Sequence, residues 1–225
     1  MSKQKYALLV VAHPDDESIF FSGLLMNQRT LPWKVICVTD GNADLAGSKR
    51  SDQFKKACQL LKVKSTQWDF PDKFESRLNA EQLTVRLKEL DLPAAVYTHE
   101  ILGEYGHPHH QDVSLAVHRA FNKRAPVWSI SYNAFPEKIF KFSKSQYKIK
   151  TRILTEIYQS ETLRFLNFLP LTSTEAYLKT SLNEVEHIYS YFTGTIRLNK
   201  AKLEVFKHLY GFLKEKRTLL TTRPF

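Results

Sequence analysis

The sequence predicts an α/β fold in three layers, a mostly parallel sheet with helices on both faces. Three observations predict it. Apolar runs of strand length alternate with segments of helical periodicity. The first run, Tyr6 to Val11, is continuously apolar, as strands buried on both faces are. The unusual polar clusters follow strands, and in such sheets ligands sit beyond the carboxyl ends of the strands.

Taken in order, Tyr6–Val11 is the first expected strand, and Ser18 to Gln28 follows as a helix with Ile19, Phe20, Leu24 and Leu25 apolar. Val35–Val38, flanked by Trp33 and Thr39, is the second strand, and Thr39-Asp40-Gly41-Asn42 is a turn signal. Ser51 to Leu61 is the second helix, with Phe54, Ala57, Cys58 and Leu61 on one stripe. Thr66–Phe70 is a short strand closed by Pro71-Asp72. Ala80 to Leu90 is a helix with Leu83, Leu87 and Leu90 aligned, and Ala94–Thr98 is the fourth strand. The stretch His99 to His110 reads as a Gly- and His-rich loop, followed by a helix from Asp112 to Phe121 and a strand from Val127 to Tyr132. Beyond Tyr132 the pattern turns helical, with helices expected over Tyr147–Phe165, Ser173–Leu182 and Lys200–Lys216. The apolar run Phe165–Leu171 suits core, a subunit contact or a membrane-touching loop.

At 225 residues with 43% hydrophobic and 25% charged residues, the chain suits one globular domain with a sizeable core. The expectation is a single domain over 1–225, with a core over 1–132 and a basic portion over 133–225 completing it. Cys37 and Cys58 have no CxxC partner, which excludes a zinc ribbon and suits two buried thiols in a reducing compartment. Lys3 and Lys5 precede an apolar run too short for a secretory signal, and no small-residue cleavage site follows. A cytoplasmic protein is expected. The net charge of +10 is uneven, since residues 126–225 carry 16 Lys/Arg against 8 Asp/Glu. A solvated face explains this, as does a surface for an anionic substrate, nucleic acid or lipid headgroup. No helix-turn-helix, finger or RNP-like motif supports specific nucleic-acid recognition.

Two clusters carry chemistry. At Ala12-His13-Pro14-Asp15-Asp16-Glu17, Pro14 suits the first turn of a helix, which would place three acids where the helix dipole favours them. A helix cap needs one carboxylate, not a histidine and three acids, so the stretch suits a metal. The second cluster places four of the eight histidines between His99 and His110. Zinc takes imidazole and carboxylate, and a catalytic zinc keeps a position open for water. His13 and Asp16, three apart, can reach one ion, the His-rich loop would supply a third ligand, and Asp15 would be left to act on water as a general base. The residues alone thus point to metal-assisted hydrolysis, with a capped helix and a surface His loop as the competing account. The N and O donors also accept another divalent transition metal.

The pairing of AHPDDE at 12–17 with HPHH at 107–110 resembles the PIG-L/LmbE family of zinc-dependent de-N-acetylases. The likeness runs over roughly residues 5 to 120 and includes the TDG turn at 39–41, Arg50 and YGHP at 105–108; Tyr158-Gln159-Ser160 is a weaker trace. It implies a Rossmann-like, LmbE-like fold with a more helical C-terminal portion. It implies zinc ligands His13, Asp16 and His110, with Asp15 as general base. It also implies oxyanion or leaving-group roles for His107 and Tyr105, and a substrate contact for Arg50. Two departures stand out. His109 occupies a position often held by Asp, so a protonated His107 would use another carboxylate, with Glu104 a candidate, or work with a lower pKa. Gln53 occupies a position usually held by Glu.

The resulting expectation is a hydrolase that removes acetyl from an N-acetylated amino sugar of the GlcNAc type or its glycoconjugate, with an anionic substrate allowed by the basic tail. Hydrolysis of another amide or C–N bond, and a non-catalytic binder of anionic surfaces, are the competing readings. Contact with a membrane surface and self-association are further allowed partners.

Overall fold

The computed structural model describes residues 5–27, 30–74, 76–165 and 173–196. The expected helix over 200–216 and the apolar run over 166–171 lie outside them. The chain divides into two compact units, each built from several segments. The first comprises Met1–Phe74, Pro93–Ala95 and Ile139–Glu175, and the second Glu75–Leu92, Val96–Lys138 and Ala176–Phe225.

In the first unit, β1 (Ala7–Val11), β2 (Trp33–Thr39) and β3 (Lys64–Phe70) lie in the order β3-β2-β1, all parallel. Every residue of β1 is buried, as its continuous apolarity requires. The parallel register brings the ends of all three strands to one edge, where the loops are tied together. The Thr39 N–H donates to the Ala12 carbonyl at 3.0 Å and the Asp40 N–H to that of Phe70 at 2.9 Å. Helix α1 (Asp16–Asn27) starts later than Pro14 suggests, and only Asp16 and Glu17 occupy its first turn. Helix α2 (Gly47–Leu61) buries the expected stripe of Phe54, Ala57, Cys58 and Leu61 and stops at Lys62, which turns left-handed. Both cysteines are buried free thiols.

The expected helix Tyr147–Phe165 is three pieces. Helix α5 (Lys144–Arg152) opens on a Ser143/Gln146 capping box, a π-helical turn spans Ile153–Ile157, and α6 (Gln159–Phe165) follows. The Gln53 amide donates to the Ile157 carbonyl at 2.6 Å, so the glutamine tethers the end of the π turn.

Unit 2 contains β4 (Ala95–Thr98) parallel to β5 (Val127–Ile130), and β5 antiparallel to β7 (Thr174–Leu178), whose first two residues belong to unit 1. Strand β7 replaces the helix expected over Ser173–Leu182. Its buried Tyr177 and Leu178 pair with Ile130 and Ser129, so pairing overrides a helix-compatible composition. Strand β6 (Lys138–Lys141), of which all but Lys138 belongs to unit 1, and helix α7 (Leu182–Phe192), capped by Ser181, are not among the expected elements, although Leu182, Val185, Ile188, Tyr189 and Phe192 recur at helical spacing in α7. Helix α3 (Ala80–Lys88) is capped by Asn79. Helix α4 (Pro108–Phe121) begins four residues before the expected Asp112, so His109 and His110 are helical rather than in a loop. Pro108 takes the first helical position, where its missing N–H costs nothing. Buried Asp112 ties three segments together, accepting from Arg77 at 2.7 Å, the Leu78 N–H at 2.8 Å and the Tyr189 hydroxyl at 2.7 Å.

One basic residue of the C-terminal portion is not at the surface. Lys150, buried in unit 1, donates to the Ile19 carbonyl at 2.7 Å and to Glu175 at 3.2 Å. Glu175 also accepts from the Ser22 hydroxyl and the Gly23 and Leu24 N–H groups. Burial lowers the Lys150 pKa, and Glu175 opposes that shift. Removing one partner of a buried pair leaves an uncompensated charge. Lys150→Met is therefore expected to cost about 3–5 kcal/mol, read as a lower urea midpoint. An unchanged midpoint would show that the pair contributes little.

Candidate metal and catalytic site

The sequence-predicted residues divide between the units. His13, Asp15, Asp16 and Arg50 belong to unit 1; Tyr105, His107 and His110 belong to unit 2.

In unit 1 the chain leaves β1 and turns sharply before α1. The His13 N–H donates to Asp16 Oδ2 at 2.7 Å, which folds the Asp16 carboxylate back beside His13. The imidazole Nδ1 then lies 3.5 Å from that oxygen. Two donors about 2.1 Å from one ion at a tetrahedral angle lie about 3.4 Å apart, so this pair fits two neighbouring ligands. On its other side, the His13 Nε2 is 3.6 Å from Asp72 Oδ1. Asp72 stands just beyond the carboxyl end of β3. The sequence alone did not single it out, although the strand-end rule marks that position.

Asp15 has φ 121°, a left-handed-side conformation that few L-residues adopt. Three contacts hold it there. Its N–H donates to Glu17 Oε2 at 3.1 Å, its carbonyl accepts from the Ser18 and Ile19 N–H groups at 2.9 Å, and Arg50 Nη2 lies 3.3 Å from its Oδ2. Strain of this kind persists where surrounding contacts over-determine it. Burial pushes the Asp15 carboxyl pKa well up; Arg50 opposes the shift, and the Asp16 and Glu17 charges add to it. Arg50 also donates to the Pro14 carbonyl at 3.0 Å, and its guanidinium lies 3.6 Å from Asp72 and 3.9 Å from Glu161. Burial lowers its pKa, but the Asp15, Glu161 and Asp72 carboxylates more than offset this and hold it above the usual value.

Glu17 is a buried strut rather than a surface cap. It accepts from the Ser18 hydroxyl at 2.5 Å and the Tyr158 hydroxyl at 2.9 Å, and burial pushes its pKa up to about 7 against those bonds. Tyr158 and Glu161 are further residues that the sequence did not assign. Their only signal was the faint Tyr158-Gln159-Ser160 likeness.

In unit 2, His107 is the N-cap of α4, and its Nδ1 accepts from the His109 N–H at 3.2 Å. With Nδ1 accepting, the proton of the neutral ring is on Nε2. His107 stacks on His110 with ring centroids 4.7 Å apart, and the half-exposed Tyr105 meets both rings edge-on. Glu104 does not serve His107, contrary to the sequence expectation. Its carboxylate lies 2.5 Å from His110 Nδ1 and 3.2 Å from His99 Nδ1. Burial raises the Glu104 pKa, but the two imidazoles facing it outweigh that and bring it to about 2. His99, Glu104 and His110 offer donor atoms within 4.8 Å of one another. At 2.5 Å, however, two donors are too close to flank an ion, so the Glu104–His110 contact is a hydrogen bond. The outer nitrogen of His110, Nε2, is the one suited to a metal.

Comparison with known proteins adds four findings. Residues 8–121 match the family model described as GlcNAc-PI de-N-acetylase. The chain is 30% identical over 175 residues to an uncharacterised protein of Acanthamoeba polyphaga mimivirus, covering 68% of this chain and 71% of that one. It is also 30% identical over 125 residues to the N-acetylglucosaminyl-phosphatidylinositol de-N-acetylase of Saccharomyces cerevisiae, covering 48% of this chain but only 41% of the yeast protein. Among solved structures, the N,N'-diacetylchitobiose deacetylase of Pyrococcus horikoshii shares the fold. Its TM-score is 0.63 at 17% identity, covering 80% of this chain and 85% of that one. Among the described residues, no helix is long and apolar enough to cross a membrane.

Proposed function

Because this chain belongs to the PIG-L family of GlcNAc-PI de-N-acetylases, we propose that it is a metal-dependent hydrolase that removes acetyl from an N-acetylated amino sugar or its glycoconjugate. The observation that carries this reading is the buried His13–Asp16 donor pair at ligand spacing, next to an Asp15 carboxylate held in a strained turn.

In this proposal His13, Asp16 and the Nε2 of His110 hold one zinc or another divalent ion, and residues 1–225 work as one domain. When bound, such an ion acidifies a water and polarises the acetamide carbonyl. Asp15 accepts the proton of the attacking water, and its contact with Arg50 keeps the carboxylate aimed. The His107 Nε2–H donates to the oxygen that gains charge as the carbonyl becomes tetrahedral, with the Tyr105 hydroxyl as a second donor. Arg50 is assigned to polar groups of the substrate, and a cytoplasmic setting suits the two free thiols. The proton that Asp15 takes from water is returned to the departing nitrogen as the C–N bond breaks, so the products are a free amine and acetate.

The test measures bound metal and acetate release with N-acetylglucosamine, its nucleotide conjugate and an inositol-linked N-acetylglucosaminyl lipid. The expected result is metal-dependent acetate release from at least one, lost on chelation and restored by zinc. Metal-loaded protein that releases acetate from none of them would overturn the deacetylase reading.

A further inference from the structure

We propose that Glu104 is the positioning residue for His110: its carboxylate accepts the Nδ1 protons of His110 and His99 and so fixes His110 as the tautomer with a bare Nε2. The inference rests on the assignment of His110 as a metal ligand and names what prepares it.

An ionised carboxylate only accepts hydrogen bonds. Facing Glu104 at 2.5 and 3.2 Å, both Nδ1 atoms must donate, and each neutral ring then has its lone pair on Nε2. Glu104, His99 and His110 are all fully or almost fully buried, so water does not compete for these bonds. His99 also lies flat on His110, with ring centroids 3.9 Å apart and planes 21° from parallel, which fixes the ring's tilt.

The loop is built to turn this carboxylate inward. Glu104 has φ 54°, a left-handed conformation that non-glycine residues seldom adopt. Gly103, at φ 72°, closes against α4, and a Cβ there would sit 2.6 Å from the His107 carbonyl oxygen. The Asn133 side chain donates to the Glu104 carbonyl at 2.6 Å and to Glu100 at 2.9 Å, while the Glu100 N–H donates to Glu104 Oε1 at 3.0 Å. A carboxylate needed only to fill space would be replaced at little cost by an apolar side chain. One that holds two imidazoles in a single tautomer has a directional task, and carboxylates behind metal-binding histidines tune the ligand in this way.

The test begins with nitrogen-15 NMR of histidine-labelled, metal-free wild-type protein. The expected signature is a protonated Nδ1 and a bare Nε2 at His110; a proton on Nε2 overturns the proposal. Competition with a chelator then measures zinc affinity. Glu104→Gln offers one acceptor oxygen and turns an N–H₂ toward the second ring, so affinity is expected to fall about 10–100-fold. Glu104→Asp, which keeps the charge, is expected to recover part of that loss. A folded Glu104→Gln protein with wild-type affinity and tautomer overturns the proposal. If the variant does not fold, the wild-type spectrum still decides. Wild-type protein that binds no metal would remove the ligand assignment, while the His110 tautomer would still show whether Glu104 sets the ring.

Discussion

Replacing Asp15 by asparagine is expected to lower kcat by about 10²–10⁴-fold while bound metal stays at the wild-type level. Asparagine has nearly the same size, and it tolerates positive φ better than most residues, so the turn at φ 121° should survive. Its amide oxygen can still accept from Arg50, which lies 3.3 Å from Asp15 Oδ2 in the wild type. The amide cannot take a proton from water. The change therefore separates proton transfer from local architecture. Metal content by elemental analysis and turnover by acetate release check it together. Near-wild-type kcat with metal bound would remove Asp15 from the proton-accepting role.

His13→Ala is expected to strip the metal and to lower kcat/KM by about 10³-fold or more, as several kcal/mol of transition-state stabilisation are lost. The His13 ring has Nδ1 3.5 Å from Asp16 and Nε2 3.6 Å from Asp72. Without it, the proposed ion keeps only Asp16 as a ligand from unit 1. Dialysis followed by elemental analysis reads the metal, and acetate release reads the activity. Full metal occupancy in His13→Ala would end the ligand assignment.

Much of this site can be read from the chain, for a reason visible in particular residues. His13 and Asp16 are three apart, so one turn suffices to pair them. Arg50 lies in α2, whose buried stripe is visible in its periodicity. Strand burial likewise makes β1 readable without its neighbours.

Where the expectation failed, a distant partner or a local backbone turn decided the outcome. The same proline rule succeeds at Pro108 and fails at Pro14. His107 supplies an N-cap directly before Pro108, whereas Pro14 leads into the strained Asp15 turn held by Arg50 and Glu17. The segment Ser173–Leu182 can be either helix or strand by composition, and β5 settles it by pairing. Glu104 is three residues from His107 and six from His110, so proximity in sequence favoured the wrong histidine. The left-handed backbone at Glu104 turns the carboxylate to His110 instead.

The α/β class, the alternation of the first strands and helices, and the imidazole and carboxylate types of the candidate ligands are all legible along the chain. These follow from local periodicity and spacing. Which carboxylate serves which group emerges only in the fold: Asp72 beside His13 and Arg50, Glu161 near Arg50, Tyr158 on Glu17, and Glu104 on His110. Hydrogen bonding is directional and short-ranged. A partner is therefore chosen by where a backbone turn points a side chain, and not by its distance along the chain.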